Sequence, residues 1–583
     1  MTKRSSFLIS LFALFLLVSV QSRAEVAAQL KVDNFALIDH QGKFHELDYY
    51  CRDPKVNGIV VFVHGNGCPL VRKRVPELRR LRKKFEHQGK HEYERHGILF
   101  FMLNANSQDE REDLVEEARE YGIDIPILKD SSQLVADMLG VDRTAEALLI
   151  NTKTCEVVFR GPIDDRMSYQ TEKPEASKHY LNDAIQSLLA GAPVEVPRVD
   201  APGCRISLES AHQKAISYSE HVAPILKKRC VECHTKGGVG PFAMSSYKKV
   251  KGWSEMMAEV IVTKQMPPWH ADPHIGKFSN ASGITDEEAR IVVDWIRGGS
   301  PRGEGPDPLA DYRPKQLEWV LGTPDKVIEL PKQDIPAEGI LEYRYVYVDS
   351  PFDRDVWVRA AEVSPGNKRV VHHVIVTTEK QSAERKRELR GQWISGYAPG
   401  TDPAACPEGT GILLRKGHRL NFEIHYTVSG REEEDRTRFG IYLLDQPPAK
   451  AYETEAIVHT KFAIQPHDRE SAESYPKDID KNILIYGINP HMHFRGKRMS
   501  FTLQHPDGTK QPLLSVPNYN FNWQRTYHLD EPVRAAAGSK LIVENAWDNS
   551  ALNPHISDPE RTVKWGDQSS DEMFFATYTY VKE

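Results

Sequence analysis

The chain has 583 residues, 40% hydrophobic and 27% charged, with a formal net charge of −6. That length accommodates about three to five domains of roughly 100–200 residues each, and the composition is ordinary for globular protein. The weak negative charge excludes a nucleic-acid partner held by a broad basic field.

Lys3 and Arg4 precede a mostly apolar run over residues 7–20, and Ser22-Arg23-Ala24 then offers small residues at the −3 and −1 positions of a cleavage site. This layout predicts a secretory signal peptide over residues 1–24. The apolar run, about 14 residues, falls short of the roughly 20 that a bilayer span needs. Cleavage is therefore expected, with export to the periplasm or the cell exterior.

Residues 25–191 alternate strands and helices. Short apolar runs at 58–64 and 98–103 predict buried strands, and the charged, periodic segments 76–85 and 110–121 predict helices. Residues 147–150 and 155–160 predict two more strands around a turn, so the region is α/β. The Pro-rich stretch 192–203 opens a linker over 192–216. Helices are predicted at 219–229 and 286–297 around a loop-rich middle, giving a small helical domain over 217–303. The Gly- and Pro-rich residues 298–306 lead into a second linker, 304–314. Beyond it the chain turns to short strands, for example 343–348, 371–377, 421–427 and 499–504, which is β-sandwich behaviour. Asp445-Gln446-Pro447-Pro448 reads as a hinge between halves 315–446 and 447–583.

Cys230-Val231-Glu232-Cys233-His234 is a C-x-x-C-H haem-attachment signature. Two thiols at this spacing each add to a haem vinyl group, and the next histidine lies under the iron. Met266, in Gln265-Met266-Pro267-Pro268-Trp269, is the expected sixth ligand, because its prolines stiffen a loop beyond the motif. Met244, His270 and His274 stay open for that position. The segment 217–303 resembles small class I-like cytochrome c domains, which implies one covalent haem c and an external electron donor to it.

Three histidine clusters lie in the β-rich half: His372-His373, His425 in Ile424-His425-Tyr426, and His491-Met492-His493. Asp571-Glu572-Met573 follows, with aromatics after it. His491 and His493 project to one face of a strand. His372 and His373, as neighbours, reach one ion only at a strand end or a bulge, with His425 arriving from another strand. The residue types allow one site of three imidazoles and one of two imidazoles plus a thioether, both suited to copper.

The order of this set resembles the copper type II, ascorbate-dependent monooxygenase family, which includes the peptidylglycine α-hydroxylating and dopamine β-monooxygenases. The resemblance spans roughly 315–583 and implies two stacked β-sandwich domains with two copper ions. By it, His372, His373 and His425 hold the electron-storing copper. His491, His493 and Met573 hold the catalytic copper, where dioxygen is activated to hydroxylate a substrate C–H bond. The substrate, a small molecule or a peptide, is not implied. The family's peptidylglycine members anchor a carboxylate with Arg, Asn and Tyr at positions held here by Asn489, Phe575 and Thr577. A C-terminal glycine peptide is therefore disfavoured.

Residues 32–189 resemble a thioredoxin-like (redoxin) domain, through Phe62-Val63-His64-Gly65-Asn66-Gly67-Cys68-Pro69 after a strand and Arg160-Gly161-Pro162-Ile163-Asp164-Asp165 late in the fold. Cys68 stands where the attacking thiol would stand, at a strand-to-helix junction that lowers a thiol pKa. Val71 replaces the second cysteine of C-x-x-C, and Thr144-Ala145 replaces Thr followed by cis-proline. A one-cysteine mechanism, a partner such as Cys155 or Cys204, and an inert Cys68 all stay open. Of the seven cysteines, two go to haem, so at least one of the remaining five is unpaired or intermolecular.

The expected architecture is multidomain: an α/β thioredoxin-like domain, a small α-helical cytochrome c-like domain and two all-β sandwiches. The first functional expectation is an exported copper monooxygenase drawing electrons through its own haem. A non-enzymatic haem and copper electron-transfer or redox-sensing protein is the second, and a thiol redox enzyme using Cys68 the third.

Overall fold

A computed structural model describes residues 30–87, 96–168, 171–208, 216–313, 318–380, 392–400 and 403–583. The expected signal peptide lies outside the described residues. No helix among them is long and apolar enough to cross a membrane.

The first body is built on one mixed sheet. Val56–His64 runs parallel to His96–Asn104 on one side and antiparallel to Ala147–Asn151 on the other. Glu156–Gly161 closes that edge, and Ile127–Lys129, Ala36–Asp39 and Phe44–Glu46 extend the other. The helices Pro69–Phe85, Arg111–Tyr121, Leu134–Leu139 and Tyr180–Leu189 accompany it. Separate apolar cores lie on the two faces, one holding Val61, Phe101 and Leu148, the other Phe62, Phe100 and Leu149. Burial on both faces explains why the central strands are near-continuous apolar runs. A βα unit followed by an antiparallel hairpin on the same sheet is a thioredoxin-like topology. One helix departs from expectation, starting at Pro69 and not at residue 76. Pro69 at the first helical position is preset for helix, and Pro76, inside the helix, costs one backbone hydrogen bond.

The second body is helical. A π turn, Tyr218–Val222, opens the expected 219–229 helix and passes into Ala223–Arg229. Tyr247–Gly252, Ser254–Val262 and Asp286–Arg297 follow. Thr285 and Glu288 form a reciprocal capping box at the start of the last helix. Its buried Trp295 packs with Tyr218, Leu226 and Val292.

The β-rich half contains two pairs of sheets. In the first, Arg344–Asp349, His418–Tyr426, Val371–Lys380 and Gln392–Tyr397 face a five-stranded sheet that includes Val356–Ser364 and Arg438–Leu443. Both contribute to one core around Val358, Val374, Phe422 and Phe439. In the second, the sheet of Ile483–His491 and Phe574–Lys582 faces the sheet of Gly496–Gln504 and Ser539–Trp547 across Ile485, Phe501 and Trp547. Each such large apolar side chain contributes about 1.5–3 kcal/mol on burial. Packing therefore holds this half together, since Cys406 is its only cysteine.

The bodies are sewn together by polar contacts. Arg290 donates to Ser132 O (3.0 Å) and to Asp137 (2.7 Å). Arg111 and Asp272 form a buried pair. The helical body's 277–280 loop pairs with the β-rich half through a Phe278–Leu529 bridge and the Asn280 side chain, which donates to Thr526 O at 2.8 Å.

Candidate functional site

The strand Val371–Lys380 pairs with His418–Tyr426, and its register breaks between Val371 and His373. This bulge turns two consecutive histidines to one side, where an unbroken strand sends neighbours to opposite faces. His425 is paired directly with His373. The Nδ1 atoms of His372 and His373 lie 3.0 Å apart, and those of His425 and His372 3.3 Å apart. Ligand atoms of all three fall within 4.8 Å of one another. Burial holds the three imidazoles neutral: His372 is pushed down to about 4, His425 to about 3, and His373 well below the usual histidine range. Converging lone pairs on neutral, buried imidazoles are the donor set that a borderline cation needs. His373 Nε2 is buried without a hydrogen-bond partner, which costs about 1–3 kcal/mol.

His491 ends the strand Ile483–His491, and His493 follows with its ring centroid 5.2 Å away. His491 Nδ1–H donates to Gln524 Oε1 at 2.7 Å, and His493 Nδ1–H to Asp571 O at 3.2 Å. Both partners are acceptors only, so each Nδ1 carries the proton and each Nε2 presents its lone pair. His493 Nε2 is buried and unbonded. Burial depresses His491 to about 4 and His493 well below its usual value. Met573 is buried too, and the neighbouring Glu572 ties it to the histidines. The Glu572 carboxylate accepts from the backbone N–H of His493 (2.9 Å), Arg495 (2.6 Å) and Met573 (3.2 Å). Burial still pushes this carboxyl up to about 7, against the lowering by those three donors.

His373, His491, His493 and Met573 line one cavity of about 560 Å³, together with Tyr343, Trp393, Tyr397 and Phe575. Among the described residues lining it there is no Lys or Arg. The Phe521 ring lies between the two histidine groups, its centroid 5.3 Å from His372, 5.9 Å from His425 and 5.9 Å from His493. Phe521, Gln524 and Glu572 carry no sequence signal of their own, apart from the place of Glu572 beside Met573.

The C-x-x-C-H motif sits at the end of the helix Ala223–Arg229, with Cys230 as its C-cap. Burial pushes the Cys230 thiol up to about 12. His234 Nδ1 is 3.1 Å from Phe242 O, so it donates there and leaves Nε2 for a ligand. A Cβ on Gly240 would stand 2.8 Å from His234 Nδ1, so glycine is what fits beside the ring. Two thiols on one turn, with an oriented imidazole next to them, fit a covalent haem. Cys233 faces the β-rich half: a Cβ on Gly400 would lie 3.9 Å from its Sγ. Met266 is half-buried and lines a separate cavity of about 570 Å³ with Trp269, His270 and His274. Met244 is buried, and its N–H donates to His234 O at 2.8 Å.

In the first body, Cys68 caps the helix Pro69–Phe85. Val71, where a second motif cysteine would stand, is core. The sulfur facing Cys68 comes instead from the linker: Cys204 Sγ lies 3.1 Å from Cys68 Sγ. Burial by itself raises the Cys68 thiol, but the Thr144 hydroxyl, the N–H groups of Val71 and Leu70, and Cys204 outweigh it and lower its pKa. Burial and Cys68 raise Cys204. Gly67 N–H donates to Glu117 (3.0 Å), which also pairs with Arg72 and His64 and braces the loop before the cysteine. Cys155 is not the partner of Cys68, because its Sγ lies 3.2 Å from that of Cys51. Two pairs and the haem motif leave Cys406, half-buried beneath Val358.

No protein-family model matches the chain, and no curated protein sequence matches it. Solved structures similar to part of it include a hypothetical protein from Sinorhizobium meliloti 1021, at 22% identity over 31% of this chain and 95% of that one, with a TM-score of 0.27. An uncharacterized conserved protein from Geobacillus kaustophilus is 24% identical over 31% of this chain and 93% of that one, with a TM-score of 0.27. The thioredoxin domain of a thiol-disulfide oxidoreductase from Bacteroides vulgatus is 17% identical over 22% of this chain and 86% of that one, with a TM-score of 0.18.

Proposed function

We propose that the chain is an exported copper-dependent monooxygenase that hydroxylates a C–H bond of its substrate, using dioxygen and electrons delivered through a c-type haem. The observation that carries this reading is the pair of neutral donor sets, His372/His373/His425 and His491/His493/Met573, of which the second set and His373 line one cavity, with the Phe521 ring in contact with both sets. Three imidazoles suit copper in either oxidation state, and a thioether favours Cu(I). When bound, copper supplies one-electron transfer and dioxygen activation.

The protein's own groups do the rest. Gln524 and Asp571 fix the tautomers of His491 and His493, so that both present Nε2. Glu572 locks the Met573 segment to the His493 loop through three backbone N–H groups. The aromatic side chains of the cavity wall receive apolar substrate surface. Without Lys or Arg among the described lining residues, and with Glu379, Glu423 and Asp567 among them, the cavity offers no counter-charge to a carboxylate, which disfavours an anionic substrate. Cys230, Cys233 and His234 would hold the haem against the Gly400 edge of the first sandwich, an entry point for electrons from an external donor.

The test is metal loading. Anaerobic copper titration should saturate at two equivalents, with Met573→Ala weakening one and His425→Ala the other. Binding of one ion or none, or indifference to both variants, overturns the reading and leaves a haem electron carrier.

Thiol–disulfide exchange at Cys68 is a second reading, favoured by the 3.1 Å approach of Cys204 and the lowered Cys68 pKa. It agrees with the description of the Bacteroides vulgatus domain as part of a thiol-disulfide oxidoreductase. The two readings concern different bodies of the chain and coexist without conflict.

A further inference from the structure

A thiol site that exchanges with a protein cysteine has to hold the cysteine-bearing segment extended, and backbone pairing along an open edge is the general way to do so. Residues 203–206 of the linker are held in this way against residues 142–144 of the first body. Thr144 N–H donates to Cys204 O at 2.9 Å, and Ile206 N–H donates to Asp142 O at 2.9 Å. Arg143 and Arg205 form an antiparallel bridge between them. The Cys204 N–H donates to Thr144 Oγ1 at 3.0 Å, and the same hydroxyl oxygen lies 3.2 Å from Cys68 Sγ. Thr144 thus sets both sulfurs at once. The approach requires glycine at 203, because a Cβ there would come within 1.8 Å of Thr144 O. Downstream, buried Ile206 joins the core, and Gln133 Nε2 donates to Ser207 O at 2.8 Å.

We infer that residues 203–206 are a tethered substrate strap, and that Cys204 is the resolving thiol of a Cys68–Cys204 redox pair. The inference rests on the thiol reading of Cys68 and adds the partner and the mode of recognition. The co-reactant is a cysteine disulfide in an extended segment of another protein. The Cys68 thiolate attacks one sulfur of that disulfide, a mixed disulfide forms, and the other sulfur leaves as a thiolate. Cys204, losing its proton to that thiolate, then attacks Cys68 Sγ and releases the first partner sulfur. The Cys68–Cys204 disulfide remains, and two electrons have passed to the partner. The strap fills the recognition edge with both cysteines as free thiols. A partner engages by running the same exchange backwards and displacing residues 203–206. In that reverse step the partner thiolate bonds to Cys68, and the exposed Cys204 leaves as the thiolate.

The experiment equilibrates the full chain in glutathione buffers of graded oxidised-to-reduced ratio, followed by acid quench, alkylation and peptide mapping. The account predicts a Cys68–Cys204 cross-linked peptide appearing in one two-electron transition, apart from the Cys51–Cys155 pair. The effective concentration of Cys204 should lie well above the millimolar value of a flexible tether, and Gly203→Ala should lower it at least ~10-fold with both thiols intact. In Cys204→Ser, Cys68 should stop at a glutathione mixed disulfide. If wild-type Cys68 stops at that mixed disulfide while Cys204 alkylates freely, the strap is refuted and the thiol reading stands. If Gly203→Ala leaves the effective concentration unchanged, the close backbone pairing is refuted as its source. If Cys68 is inert in wild type and in Cys204→Ser, both the strap and the thiol reading fall.

Discussion

Replacing Gln524 by Leu removes the acceptor that His491 Nδ1–H meets at 2.7 Å, in a place where both residues are buried. Two effects follow. The Nδ1–H loses its partner away from water, a cost of about 1–3 kcal/mol. The imidazole also becomes free to rotate or to change tautomer, so Nε2 no longer presents a fixed lone pair. Supporting groups of this kind typically account for about 10–100-fold in metal affinity. Gln524→Leu should therefore weaken copper at the His491/His493/Met573 set by that factor and leave the His372/His373/His425 set within about twofold. Gln524 Nε2 also donates to Phe521 O at 3.2 Å. Gln524→Glu keeps the acceptor for His491 but not this donor, and so separates the two roles. Its copper affinity should return to near wild type. The assay is competition against a Cu(I) chelator of known affinity under anaerobic conditions. Equal weakening at both sets, or no change in either, would refute the argument.

Three further predictions concern other parts of the chain. The metal-free protein should lose stability in acid: burial holds His372 at about 4 and His425 at about 3, against roughly 6.5 when unfolded. The unfolded state therefore binds more protons below about pH 6.5, so the stability is complete above that value and drains away as the pH falls toward 4, on the order of 3 kcal/mol per imidazole. Urea midpoints from pH 7.5 to 4.5 should show this slope, and His372→Phe should flatten it. Cys51 and Cys155, 104 positions apart, are free thiols with sulfurs at 3.2 Å; oxidation should join them, and Cys51→Ser should then forgo about 2–4 kcal/mol of stability in the first body, read as a shifted denaturation midpoint under oxidising conditions. Met266→Ala should convert the haem from low spin to high spin in its visible spectrum, whereas Met244→Ala should not. The reverse pattern would assign the sixth position to Met244.

What could be read from the chain alone depended on whether the signal was local. The apolar runs at 58–64 and 98–103 lie inside Val56–His64 and His96–Asn104, because strands buried on both faces leave a continuous hydrophobic trace. The His372-His373 pair required a bulge before both could share an ion, and the register breaks there. Helix onset at residue 69 was not legible, since Pro76 reads locally as a start while the cap that governs is Cys68-Pro69. The groups that orient the site were invisible for a different reason. Gln524 is 33 residues from His491; Cys204, 136 from Cys68, stood in view as a candidate partner, but nothing local chose it over Cys155. Such pairs exist only once β-strands or linkers fold back, and no periodicity or spacing announces them. Glu572 was in view beside Met573, but its function comes from three N–H groups, two of them on the His493 loop.

The most direct test of the central proposal is anaerobic reduction of copper-loaded protein followed by admission of oxygen, with haem absorbance, Cu(II) EPR and oxygen uptake recorded together. The account predicts that haem and copper reoxidise in linked phases, and that Met573→Ala abolishes the copper-dependent phase while the haem still cycles. Haem that reoxidises identically with and without copper, together with copper that stays indifferent to oxygen, would contradict it.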